Sequence, residues 1–272
     1  MYRGTKLSLF DFLRLGQEQW LCQTNWAARN FFFRWFGPLG IHTRIRSAHV
    51  IQLVETIALP QHSRILDAGC GHAYALFWLA RRHPEWKIYG MDIDGRLIAN
   101  NNRIASDLGL INLMFNEGDV GQLRTDLPFD LILSIDVLEH VADDVHTLSV
   151  WRQSLCPTGW LILHLPLRHQ MQKRIFPIFK QHTISNHVRD EYTIEEISMK
   201  LSSVGFRVCR LQFGFGFWGE LAFELNNLFW QQRRLRNLVA LLSFPLAVFA
   251  GYIDLLYPPR WGNSFIVMAK PA

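Results

Sequence analysis

Short, nearly continuous apolar runs alternate with helix-length segments through the middle of this chain, and few architectures accept that pattern. Residues 63–69 (SRILDAG), 87–93 (KIYGMDI), 111–119 (INLMFNEGD), 129–137 (FDLILSIDV) and 159–166 (GWLILHLP) read as five strands. Helical patterns follow the first strand through about Arg82, the second near 95–108 and the fourth near 142–155. Strands that are apolar on both faces belong to parallel sheets covered by helices on both sides. Residues 193–206 (TIEEISMKLSSVGF) form a further helix, with Thr193 and Glu196 at capping-box spacing and Gly205 at the C-terminal stop. A sixth strand follows at 206–214 and the last comes at 264–270. The stretch between them is an insertion.

Composition narrows the function classes. Apolar residues make up 49 % of the 272 and charged residues 19 %, which excludes long disorder. Cys22, Cys70, Cys156 and Cys209 lie far apart, so neither a disulfide scaffold nor a cysteine-based zinc site is expected, and a reducing cytoplasm suits the chain. The N-terminus lacks the apolar core and cleavage site of a signal peptide. Net charge is +5, compatible with nucleic acid, an anionic membrane or an anionic ligand. Of 36 aromatic residues, ten fall in residues 1–47 and twelve in 213–262, so the flanks differ from the enzyme-like middle.

The first strand ends in Ile65-Leu66-Asp67-Ala68-Gly69-Cys70-Gly71. Two glycines there let the backbone turn sharply and approach a ligand closely. Asp92, at the end of the second strand, is placed to receive ribose hydroxyls, and the spacing from Asp67 fits one β-α-β unit. Asp94 stands two residues on and competes for that role. His72-Ala73-Tyr74 occupies the place of a third, pyrophosphate-binding glycine, which disfavours a dinucleotide. A nucleoside bearing a zwitterionic amino acid fits better, with Asp67 on its ammonium side.

At these blocks the sequence resembles the class I S-adenosylmethionine-dependent methyltransferases, over about residues 60–213 and 263–271. ILDAGCG (65–71) is similar to the glycine-rich cofactor loop, carrying Asp67, Gly69 and Gly71. GMDID (90–94) is similar to the ribose block, with Asp92 and Ile93. EGDV (117–120) is similar to the adenine block, with Asp119 and Val120. FDLILSIDVLEHV (129–141) is similar to the fourth-strand block, where Asp136 completes the cofactor set. The resemblance implies S-adenosyl-L-methionine as cofactor. It also implies an α/β, doubly wound, Rossmann-like sheet of seven strands in the order 3-2-1-4-5-7-6, strand 7 antiparallel. A helical N-terminal extension (1–59) and a helical insertion between strands 6 and 7 (214–262) flank a core of 60–213 and 263–272.

Methyl transfer is an in-line displacement helped by positioning, and by a base where the acceptor carries a proton. His140 stands just past the fourth strand, where ligands of open α/β sheets bind, as a base or as a residue that orients the loop. His164, at the end of the fifth strand, either faces the acceptor or is a satisfied core histidine. His187, with Arg189 and Tyr192, belongs to a stretch that lies near the pocket mouth in the resembling enzymes. Glu139 and His140, with Asp143, Asp144 or His146, offer an oxygen-rich set for Mg²⁺, although no metal site is assigned.

Residues 1–47 carry seven Lys/Arg against two Asp/Glu, and Phe31-Phe32-Phe33 lies among cations, as in an interfacial helix or a lid. Residues 238–253 are uncharged but too short, and broken by Pro245 and Gly251, to span a bilayer. Residues 168–189 place cations around Ile175-Phe176-Pro177-Ile178-Phe179. The expected partner is therefore a hydrophobic or lipid-linked small-molecule acceptor, met by a cytoplasmic enzyme in peripheral contact with the inner membrane face. The alternatives are a nucleic-acid methyltransferase, disfavoured because the Asn/Asp-Pro-Pro-Tyr/Phe motif is absent at the fourth strand, and a non-catalytic cofactor-binding accessory protein.

Overall fold

A computed structural model of the chain describes residues 7–22, 37, 40–168, 173–176, 191–231 and 236–272. Strands β1 (Arg64–Ala68), β2 (Lys87–Asp92), β3 (Leu113–Glu117), β4 (Phe129–Ile135), β5 (Leu155–Pro166), β6 (Phe206–Gly214) and β7 (Ser264–Pro271) form one sheet. Their order is 3-2-1-4-5-7-6, with β7 antiparallel to both neighbours, as the resemblance implies. β5 begins earlier than the sequence pattern suggests, and its pairing with β4 shifts register between Phe129 and Leu131.

Burial follows each strand's place in the sheet. Ile65, Leu66, Leu131, Ile132 and Leu133 of the central strands are fully or almost fully buried. Each such side chain contributes about 1.5–3 kcal/mol. The edge strand β3 instead alternates, with Leu113 and Phe115 inward and Met114 outward, because only one of its faces is covered. The α-helices that precede the insertion are α1 (Leu9–Arg14), α2 (Ile41–Val54), α3 (Tyr74–Arg82), α4 (Gly95–Asp107), α5 (Asp144–Ser154) and α6 (Ile194–Ser203). The Thr193–Glu196 capping box forms at α6, and Gly205 follows with φ +82°.

The insertion is a pair of helices, α7 (Phe217–Gln231) and α8 (Arg236–Leu256), with Pro245 inside α8. Extension and insertion, treated separately in the sequence, share one core: Phe12 of α1, Ile41 and Ile45 of α2, Ala222 of α7, and Ala247, Val248 and Leu255 of α8. No helix among the described residues is long and apolar enough to cross a membrane. The expected interfacial segment around Phe31-Phe32-Phe33 and the apolar tip at Pro177-Ile178-Phe179 lie outside the described residues.

One buried carboxylate fastens the insertion. Asp254 of α8 is 1 % exposed and accepts hydrogen bonds from the backbone N–H of Phe215 (3.1 Å), Gly216 (3.0 Å) and Gly219 (3.0 Å) at the start of α7. It satisfies donors that a helix N-terminus leaves open. Burial nevertheless raises its pKa to about 6, against the downward pull of those three donors. Asp254→Ala strands all three and is expected to cost at least about 3 kcal/mol, read as a lower urea midpoint at pH 7.

Candidate functional site

The cofactor loop follows β1. Gly69 (φ +84°) and Cys70 both donate backbone hydrogen bonds to the Met91 carbonyl at the end of β2, at 2.8 and 2.9 Å. A Cβ on Gly69 would lie 2.3 Å from a Val137 methyl, so the residue is glycine for both dihedral and space. Gly71 (φ +50°) differs: a Cβ there meets nothing within 4 Å and would project into open space. Gly71 lines a cleft of about 520 Å³ together with Gly69, Asp92, Ile93, Asp119, Val120 and Asp136, among others. A smaller recess of about 110 Å³ beside it is lined by Asp67, Gly69, Gly71 and His72.

The two acids at the end of β2 have separate tasks. Asp92 accepts from Gly71 N (2.8 Å) and Asp94 N (3.0 Å), which fixes its carboxylate on the cleft wall. Asp94 caps α4, accepting from Arg96 N and Leu97 N. It does not line the cleft with Asp92. Ile93, 77 % exposed, offers an apolar surface at the cleft wall. Asp119 Oδ1 accepts from Gly121 N at 2.8 Å, and the Val120 carbonyl accepts from the Trp151 indole at 3.0 Å. Both residues are thereby held in place.

Asp67 is 2 % exposed, and its Oδ1 has no hydrogen-bond partner among the described residues. Burial, followed by the charge of Asp92, raises its pKa to about 7 against the opposing pull of Arg46. A buried carboxyl left this way is costly unless a ligand completes it. An ammonium group does so. Unpartnered Asp67, the open space at Gly71 and the fixed Asp92 thus fit a nucleoside with a zwitterionic tail.

A second cavity, of about 370 Å³, shares Arg46, Asp136 and His140 with the cleft. His164, Glu139, Arg174, Phe215 and Phe223 line it too. Between the two cavities stands Asp136, in the left-handed region with φ +52°. Its Oδ2 accepts from Arg46 Nη1 and its Oδ1 from His164 Nδ1, each at 2.5 Å. Burial pushes the Asp136 pKa up, but the charges of His164 and Arg46 prevail and hold it well below the usual carboxylate range.

His164 is 1 % exposed and has its second nitrogen 3.1 Å from Ser264 Oγ. Both ring nitrogens are engaged, so His164 serves here as a partner of Asp136, not as a base open to an acceptor. His140 ends a 3-10 turn (Leu138–His140), is exposed and lines both cavities. His187 and Arg189 lie outside the described residues. Tyr192 is buried away from the cavity, its hydroxyl 2.7 Å from Asp144 Oδ2. Asp144 also receives Lys200 Nζ at 2.8 Å, and Asp143 caps α5 through His146 N. Those acids are committed elsewhere, and no metal-binding cluster occurs among the described residues.

Sequence reasoning missed Arg46, which lines both cavities and the recess. It also missed Gln19 and Asn101. Gln19 Nε2 donates to the His72 carbonyl (2.9 Å) and Asn101 Nδ2 to the Gly71 carbonyl (2.7 Å), tying the extension and α4 to the cofactor loop. Arg46 and Gln19 sit in the extension, where no motif marks them.

Comparison with known proteins agrees with this geometry. A family model described as a methyltransferase domain matches residues 59–203. A trans-aconitate 2-methyltransferase from Methylobacterium nodulans is 27 % identical over 135 residues, 48 % of this chain and 50 % of that protein. The chain spans about half the length of such curated relatives. Among solved structures, the cyclase SpnF superposes with a TM-score of 0.59 at 18 % identity, covering 82 % of this chain and 81 % of its own. Coclaurine N-methyltransferase superposes with a TM-score of 0.56 at 12 % identity, covering 82 % and 72 %. These two show the fold alone. The family model spans more than half of the chain, and the chain belongs to the methyltransferase-domain family.

Proposed function

We propose that this protein transfers a methyl group from S-adenosyl-L-methionine to a hydrophobic or lipid-linked small molecule at the inner membrane face. The observation that carries the reading is the meeting of two cavities at Asp136, His140 and Arg46, one fitted to the cofactor and one roofed by the aromatic insertion. The cofactor supplies the methyl group as an electrophile on a sulfonium. Asp67 would receive the ammonium group, Asp92 the ribose hydroxyls, and Asp119 with Ile93 and Val120 the adenine. Arg46 holds positive charge beside the recess, where a carboxylate fits. His140 is the described histidine that lines both cavities, and it would take the acceptor's proton at a ring nitrogen.

The acceptor cavity supports an apolar body with a polar end. Of its two arginines, Arg174 is bound to Glu220 (2.6 Å), and Arg46, bound to Asp136, turns its remaining charge to the recess that would take the cofactor's carboxylate. The described part of the cavity therefore holds no surplus of cations for a polycarboxylate such as trans-aconitate, named for the curated relatives. The membrane part of the reading rests on the outer face of α8. Leu246 and Phe249 are each 60 % exposed there, Tyr257 just past the end of α8 is 72 % exposed, and Leu9 and Phe10 are exposed on α1, where the Tyr252 hydroxyl donates to the Leu7 carbonyl. Large exposed apolar side chains on neighbouring helices suit a bilayer surface.

Labelled S-adenosylmethionine incubated with a total lipid extract and, separately, with total RNA from the source cells tests the substrate class. Label is expected in the organic phase; label in RNA contradicts the reading. With the labelled extract as acceptor, His140→Ala is expected to slow transfer about 10²–10⁴-fold, far more than it weakens S-adenosylhomocysteine binding. Gly71→Ala is expected to cost about 1 kcal/mol of stability for its positive φ, yet to weaken S-adenosylhomocysteine more than about tenfold in calorimetric titration, because its methyl enters the ligand's space. Wild-type protein should float with anionic vesicles, and Phe249→Asp should reduce the floated fraction.

A further inference from the structure

Glu139 is a buried acid of the acceptor cavity that the reading above leaves without a role. It occupies the middle of the 3-10 turn after β4, is 1 % exposed and lines the cavity together with Asp136 and His140. Its Oε2 is buried and has no hydrogen-bond partner among the described residues. A buried polar atom in that condition costs about 1–3 kcal/mol, a cost removed when a ligand completes it.

The surroundings decide which kind of partner is missing. On the same side of the sheet, Asp136 is held ionised by His164 of β5 and Arg46 of α2. Glu191, just before α6, lines the cavity as well, and its charge also acts against ionisation of Glu139. Arg174 faces the cavity but is bound to Glu220 of α7, and His42 of α2 is kept neutral by burial, its pKa lowered to about 3. His140, on the same turn, is exposed. Arg46 is thus the cation that favours a charged Glu139, and it is already paired with Asp136. Burial, then the Asp136 charge, pushes the Glu139 pKa up to about 9. At neutral pH the side chain is a carboxylic acid, with an O–H to give.

We propose that Glu139 donates a hydrogen bond from its carboxyl group to an oxygen of the methyl acceptor, close to the atom that is methylated. The inference rests on the methyltransferase reading and adds a substrate class to it: the acceptor carries a hydrogen-bond-accepting oxygen at its polar end, as a carbonyl or phenolate does. An acceptor without that oxygen leaves the buried acid unpaired. Sites built around a polar partner reject analogues that lack it far more strongly than apolar pockets reject a missing methylene.

Two measurements test this. Infrared difference spectra of wild type minus Glu139→Gln, without any acceptor, should contain the carbonyl-stretch band of a protonated carboxyl at pH 7, fading as the pH passes about 9. Label transfer to the organic-phase extract should fall more than about tenfold in Glu139→Leu, which keeps the volume and loses the donor, with S-adenosylhomocysteine affinity unchanged. Glu139→Gln keeps an N–H donor, so it should stay within several-fold of wild type and lose the decline of rate above pH about 9. Absence of the protonated band, wild-type transfer by Glu139→Leu, or an unchanged alkaline decline in Glu139→Gln overturns the proposal. If wild type binds S-adenosylhomocysteine but labels no extract, the acceptor reading itself fails and the proposal with it; transfer that ignores Glu139 overturns the proposal alone.

Discussion

The carboxylate of Asp136 is the point on which the candidate site depends. It sits one residue past β4 in a left-handed conformation, and it is held from two sides by Arg46 of α2 and His164 of β5. His164 in turn reaches Ser264 at the start of β7. One partly buried charge therefore ties the N-terminal extension to the sheet and fixes the wall between the two cavities. A side chain with φ above zero persists only where its surroundings hold it. Here two charge-assisted hydrogen bonds do so.

Around that charge the other acids move the opposite way. Asp67 and Glu139 are both raised by burial and by a neighbouring carboxylate, Asp92 in one case and Asp136 in the other. The result is that Asp67 and Glu139 hold protons more tightly than Asp136 does. Of the two protonatable groups, Asp67 lines the recess and Glu139 lines the second cavity. Pairs of carboxyls pushed apart in this way commonly divide roles within one active site. The insertion uses the same chemistry structurally: Glu224 of α7, fully buried, accepts from Ile175 N (2.8 Å) and Phe176 N (2.6 Å) and holds that segment near the cavity.

The sheet was legible because parallel strands covered on both faces must be apolar throughout, and Ile65-Leu66 and Leu131-Ile132-Leu133 are. The cofactor loop was legible because Gly69 and Gly71 mark a turn of fixed geometry. Spacing alone did not divide Asp92 from Asp94; the helix start at Gly95 does, since Asp94 is consumed as its cap. His164 looked like a candidate base because its position in the strand points it at the cavity, but a single sequence does not show that Asp136 and Ser264 take both its nitrogens. Arg46 and Gln19 were illegible for a different reason. They reach the site across long stretches of chain, from helices with no recognisable motif, and their roles exist only in three dimensions.

The central claim is that Asp67, Gly71, Asp92 and Arg46 are built for a nucleoside with a zwitterionic amino-acid tail. Calorimetric titration of the purified protein with S-adenosylhomocysteine and with 5′-methylthioadenosine, which lacks that tail, tests it directly. The account predicts that S-adenosylhomocysteine binds more than about tenfold tighter, a difference above about 1.4 kcal/mol, and that Arg46→Gln narrows the gap. Equal affinity for the two compounds, or no binding of either, would contradict it.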